Sequence, residues 1–227
     1  MSIRGEFLFS IEELGKHPKL KSHHPVGPDD RLAQHLSAYY WRGKIDIESD
    51  LIVTFYNKAS DEIAARAMEA LGRGLGKVAS IEEDTKNRLK DLWIKRFENA
   101  KQDPSSHHKE LREFGTWFIS KQYEDSWSLT QLKEVLIITG DIESDHQAFE
   151  RLAELSSHYP EEVIDCVRLM IEGNKREWAV MYWRDEIREI LKNVLGTEND
   201  AKEKAVDLIN RLISLGNLDF KELLPKE

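Results

Sequence analysis

Several groups of residues have types and spacings that could do chemistry. The pentapeptide Asp46-Ile47-Glu48-Ser49-Asp50 recurs letter for letter as Asp141-Ile142-Glu143-Ser144-Asp145. Three acidic side chains in five positions could collect a hard cation through oxygen ligands. A calcium loop needs more ligands and a glycine at its bend. Serine and aspartate just before a helix are accounted for by capping of its free N–H groups and by the helix dipole. Histidines fall in the pairs His23-His24 and His107-His108, and His146 and Glu150 share an i, i+4 helical spacing. Adjacent histidines on a helix point ~100° apart, so they do not readily share an ion. The chain has no His-Glu-x-x-His sequence and no cysteine pair. Exposed or helix-capping histidines are therefore the expectation, with no metal and no cofactor assigned.

Two other motifs fail on physical grounds. Gly72-Arg73-Gly74-Leu75-Gly76-Lys77 has the composition of a phosphate-binding loop, but Leu71 stands where its first glycine belongs. Val78 follows the lysine where a magnesium-binding Ser or Thr is needed, and the run follows a helix rather than a strand. It reads as a fraying helix end with Arg73 and Lys77 set against the dipole. No Gly-x-Ser-x-Gly elbow occurs, and the lone Cys166, beside Val163, Ile164 and Val167, reads as a small apolar residue inside a helix.

Aromatic residues offer a different chemistry, that of contact. They cluster at Tyr39-Tyr40-Trp41, at Phe114 with Trp117, Phe118 and then Trp127, and at Trp178 with Tyr182 and Trp183. Consecutive helical positions cannot all face one core, so some of these rings are expected between helices or at the surface, where large amphipathic side chains anchor interfaces. Tyr40, Trp41, Trp117, Trp127 and Trp178 are the candidate interaction residues.

The elements that must carry these residues are helices. From Asp30 onward the 3.6-residue period dominates. Ala64, Ala67, Met68, Leu71 and Leu75 share one face; Val163, Val167, Met170 and Ile171 share another, as do Trp183, Ile187, Ile190, Leu191 and Val194. Helices are predicted near 30–43, 49–59, 61–75, 80–102, 105–121, 128–139, 145–157, 160–173, 177–195 and 199–216. Capping-box spacing places N-termini at Ser80 with Glu83, Ser128 with Gln131 and Ser144 with Gln147. Pro160 suits a first turn, and Gly43, Gly76, Gly140, Gly173, Gly196 and Gly216 stand where helices should stop. Residues 1–29, with Pro18, Pro25, Gly27 and Pro28, read as an irregular leader before a single helical domain at 30–227.

The echoed pentapeptide suggests two pseudo-repeats, about 30–121 and 128–216. The fold class expected is all-α: about ten short amphipathic helices stacked as a HEAT- or armadillo-like solenoid, or as an irregular helical array. No run of about 18 apolar residues exists to suggest a membrane span or signal segment, so a cytoplasmic location is expected. With 33 Lys+Arg against 42 Asp+Glu and net charge −9, the molecule as a whole repels a phosphate backbone. The segment Lys16, Lys19, Lys21, His23, His24 reads as a solvated arm.

The stretch 39–45 leading into Asp46, then Leu92-Trp93, Phe114-Gly115-Thr116-Trp117-Phe118, Trp127, Leu132, Leu208, Leu212, Gly216, Phe220 and Leu223-Leu224, resembles the helical C-terminal region of large bacterial multidomain proteins. Those proteins carry signal-transduction-type NTPase or similar effector modules, and several act in anti-phage defence. The resemblance spans about residues 30–224 and rests on packing positions. It implies a sensor or scaffold region, with catalysis in separate domains.

The function expected is a non-catalytic helical-repeat module that binds another protein, or another domain of a larger polypeptide, with no membrane partner. One alternative is a metal-dependent enzyme whose site forms only in three dimensions, with Asp141, Glu143, Asp145 and His146 as first ligands. Another is nucleic-acid binding by the 80–102 helix through Lys86, Arg88, Lys90, Lys95, Arg96 and Lys101. The interleaved Glu82, Glu83, Asp84, Asp91 and Glu98 argue against it.

Overall fold

The computed structural model describes residues 28–44, 55–56, 58–173, 179–197 and 200–224. The N-terminal basic arm, the first copy of the pentapeptide and Trp178 lie outside the described residues. Among the described residues the regular structure is all helical, with no strand. No helix among them is long and apolar enough to cross a membrane. The chain divides into two compact units, Met1–Gln122 and Tyr123–Glu227.

The described helices of the first unit are α1 (Pro28–Trp41), α2 (Asp61–Gly76), α3 (Glu83–Gln102), a 3₁₀ turn (Pro104–His107), α4 (His108–Arg112) and α5 (Phe114–Phe118). Ser60 starts α2 by accepting the Ile63 N–H on its side chain, and Asp61 and Glu62 place negative charge at the positive end of the dipole. The apolar stripe read from the sequence is the buried face: Ala64, Ala67, Met68, Leu71 and Leu75 are all buried. α1, α4 and α5 all pack on α2.

The helix expected at 105–121 is instead three short pieces. Pro104 opens the 3₁₀ turn. The Asp61 carboxylate then accepts the backbone N–H groups of Lys109 and Glu110, each at 2.8 Å, which fixes where α4 begins. The Glu113 N–H bonds back to the Glu110 carbonyl, and the chain bends there before α5. Beneath the bend, Arg96 donates two 2.7 Å hydrogen bonds to the carboxylate of Glu110. Both side chains are buried, and the Arg96 guanidinium lies 4.3 Å from the centre of the Tyr56 ring. Burial works against the arginine's charge, but its hydrogen bonds to the Glu110 carboxylate outweigh it and hold the guanidinium protonated.

The second unit contains α6 (Asp125–Thr139), α7 (Asp145–Leu155), α8 (Pro160–Gly173), α9 (Ala179–Tyr182), α10 (Arg184–Leu195), α11 (Asp200–Ser214) and a 3₁₀ turn (Leu218–Leu223). Pro160 does occupy the first turn of α8. The helix expected over 177–195 breaks at Trp183, which leaves helical geometry to stack its buried ring on Phe149, centroids 4.5 Å apart. α8 is the hub: α6, α7, α10 and α11 all pack on it. In both units one helix therefore serves several non-sequential neighbours, whereas each repeat of a linear array touches only the next.

Of the capping-box expectations, only the N-terminus at Ser144 holds in position. α3 begins after Glu82 and α6 after Glu124, and neither start is capped by a side chain; Ser128 lies inside α6. Ser144 precedes α7 in the left-handed conformation, again with no side-chain cap. Acidic residues in these first turns offset the dipole instead. Of the predicted stop glycines, Gly43, Gly140 and Gly216 take positive φ.

Close approach explains Gly173, another predicted stop, and Gly72, which lies inside α2. A Cβ on Gly173 would lie 2.1 Å from the Gly140 carbonyl oxygen, so the ends of α6 and α8 meet backbone to backbone. A Cβ on Gly72 would lie 2.2 Å from Thr116 Oγ1 and 2.7 Å from Trp117 Cδ1. Gly72→Ala should therefore lower stability by about 1–3 kcal/mol through overpacking. Gly76→Ala, with nothing within 4 Å, should be neutral or stabilising in the same denaturant titration. Equal stability of the two variants would contradict this packing.

The buried Asp165 carboxylate of α8 accepts from Lys133 of α6 at 2.7 Å and pairs with Lys204 of α11 at 3.0 Å. Burial alone would raise its pKa, but the two lysine contacts hold it below the usual carboxylate range. A depressed folded value adds stability above the unfolded carboxylate value of about 3.9 and loses it as pH falls through the folded value. Asp165→Asn should cost about 1–3 kcal/mol at neutral pH. The gap from the wild type should narrow as melting curves are taken at successively more acid pH; a gap constant with pH would contradict the assignment.

Candidate interaction cleft

The last turn of α1 is anchored to α3. Tyr40, buried, donates its hydroxyl hydrogen to the Arg88 carbonyl at 2.7 Å, and the Arg88 guanidinium sits 5.7 Å from the Tyr40 ring centre. Gly43, at φ +64°, turns the chain beneath Arg88: a Cβ there would lie 3.3 Å from Nη1 and Nη2. Arg88 is further held by Asp84 at 3.5 Å and by Thr85 Oγ1 at 3.2 Å. These contacts leave Trp41 and Arg42, the next residues, at the rim. The Trp41 ring lies over α2 at Gly74, where a Cβ would come within 3.4 Å of two of its carbons. Across from it, the strand-free link between α2 and α3 is pinned by Gln122, whose side-chain amide donates to the Val78 carbonyl at 3.0 Å.

Between these parts opens a cleft of about 740 Å³, lined by Trp41, Arg42, Val78, Ser80, Ile81 and Glu82, with Asp84, Thr85 and Arg88 at its α3 side. Its half-buried apolar part is Val78 and Ile81, with Trp41 at the rim; the rest of the rim is charged. Arg42 and Glu82 are exposed and carry no ion pair among the described residues. α3 also starts without a side-chain cap at Glu82. Ser80, expected to cap that helix, lines the cleft instead.

The other aromatic candidates are placed differently. Trp117 is 1% exposed and donates its indole N–H to the Met68 carbonyl at 2.9 Å, with Trp93 tilted against it at 5.7 Å. It is a core residue, and so is Tyr40. Trp127, half-buried, packs on Tyr123 at 4.9 Å in the second unit. The cleft thus brings together Trp41 and the anchor Tyr40, while Arg42, Ser80, Ile81 and Glu82 join it without any signal in sequence spacing.

Other chemistries fare less well. Cys166 is fully buried beside the Leu129 carbonyl, and burial pushes its thiol far up, which keeps it protonated and poorly nucleophilic. The cations of α3 are largely neutralised within the protein: Lys86 by Glu83, Arg88 by Asp84, Lys101 by Glu98, and Arg96 by the buried Glu110. Asp141, Glu143 and Asp145 do not converge with His146 as a ligand group; the converging set is His146, Glu150 and Glu186. No model of a known protein family, no curated protein and no solved structure matches the chain.

The contrast between the two tryptophans is measurable. Trp117→Ala should cost about 3–5 kcal/mol through cavity formation and the orphaned Met68 carbonyl. Trp41→Ala, on a half-exposed rim, should cost under about 1.5 kcal/mol in the same urea titration. Comparable losses would place Trp41 in the core and remove it from the cleft.

Proposed function

We infer that the chain is a non-catalytic helical module that recognises another protein, and that the Trp41 cleft is its recognition site. The observation that carries this reading is the cleft's composition: an apolar centre ringed by uncommitted charges of both signs, which is the anatomy of a protein-binding patch. The fitting occupant is a short polypeptide segment with an apolar side chain between an acidic residue, for Arg42, and a basic one, for Glu82. A polyanion fits poorly, because Glu82 and Asp84 line the cleft at the start of α3. The HEAT- or armadillo-like stacking belongs to this proposal as well. One-sided amphipathic helices support it, and the hub-like contacts within each unit count against it. The resemblance to helical regions of bacterial defence-associated proteins would make the recognised segment part of a sensing event.

A displayed random-peptide library selected on the full chain tests the reading. Enriched peptides should share an acidic and a basic residue flanking an apolar one. Their affinity should fall at least ~10-fold, a loss of ~1.4 kcal/mol, for both Trp41→Ala and Arg42→Glu, with melting temperatures near that of the wild type. Selected peptides that bind both variants as tightly as the wild type would sink the assignment to this cleft.

A further inference from the structure

We propose that His146, Glu150 and Glu186 form a binding site for a divalent transition-metal ion, with zinc the best match to the ligand types. His146 and Glu150 lie one turn apart on α7, and Glu186 lies in the first turn of α10, which packs against α7. One potential ligand atom from each falls within 4.8 Å of the others, and His146 Nε2 is 3.7 Å from Glu150 Oε1. The backbone positions are set by a buried contact directly beneath: Phe149 stacks on Trp183, the residue that leads into α10. Zinc bonds of about 2.0–2.2 Å require ligand atoms roughly 3.3 Å apart in a tetrahedron. The exposed Glu150 and half-exposed Glu186 can close that gap by side-chain rotation alone.

Charge is the second argument. Glu150 and Glu186 bring two carboxylates together with no lysine or arginine paired to either among the described residues. Elsewhere in this unit, Asp125, Asp165 and Asp219 are each paired with arginine or lysine. Like charges so placed repel unless a cation lies between them. An imidazole with two carboxylates selects zinc, cobalt or nickel over calcium and magnesium, which prefer all-oxygen sets. Three protein ligands leave a position for water. The site lies in the second unit and does not depend on the cleft reading.

The test is calorimetric titration of the metal-free full chain with Zn²⁺ near neutral pH, with Co²⁺ absorption as a second readout of tetrahedral ligation. One saturable zinc ion is expected. Loss of a direct ligand should weaken it by more than the ~10–100-fold typical of losing a merely supporting partner. That loss is expected for both His146→Ala and Glu186→Gln, with affinity unchanged in His158→Ala and melting of the metal-free variants unaltered. Absence of saturable binding overturns the proposal, as does binding that survives Glu186→Gln at full affinity, since that assigns the ion to other histidines.

Discussion

In the first unit, much of the structure depends on how closely other groups can approach α2. Its inward face sets small residues among Met68, Leu71 and Leu75, and several of the small positions are each used by a different neighbour. Ser37 of α1 reaches the Ala67 carbonyl with its hydroxyl, Thr116 and Trp117 of α5 sit where a Gly72 Cβ would be, and Trp41 lies over Gly74. At the helix's other end Asp61 holds the start of α4 by two backbone hydrogen bonds. The cleft follows from this arrangement. Trp41 lies at the rim with its ring against Gly74, and Tyr40, one residue earlier, is hydrogen-bonded to α3.

Charge then divides the surface from the core. Buried ions are kept at the joints between helices, where each has a partner: Arg96 with Glu110, Arg151 with Asp125, and Asp165 with Lys133 and Lys204. A buried ion without its partner would cost several kcal/mol, so these pairs fix which helices meet more than they add net stability. Along α3 the same neutralisation removes most of the basic face that could have attracted a polyanion. Arg42 and Glu82 stand outside this pattern, exposed and opposite in sign beside an apolar centre.

The helices were legible because burial imposes the 3.6-residue period: the stripes of α2, α8 and α10 match the residues that are buried. The breaks were not. Nothing between 105 and 121 forbids a continuous helix; Asp61, far away in sequence, decides where α4 begins. Serine at capping spacing was a poor guide at Ser80 and Ser128 because acidic residues in the first turn already satisfy the dipole. Tryptophan type could not separate Trp41 from Trp117, since both sit in aromatic clusters at helical spacing and only their tertiary surroundings differ. Glu186 was invisible as a partner of His146 and Glu150 for the same reason: the packing of α10 on α7 supplies it.

The central claim is that the Trp41 cleft is where this chain meets a partner. The most direct measurement places a photo-crosslinking amino acid at Ser80, which lines the cleft, and a second at Ile137, which is exposed on α6 of the other unit. Each is irradiated in lysate of the native cell. A discrete adduct formed from position 80, absent from position 137 and lost when Trp41 is changed to alanine, is the result predicted here. Adducts equal at the two positions, or unaffected by the loss of Trp41, would contradict it.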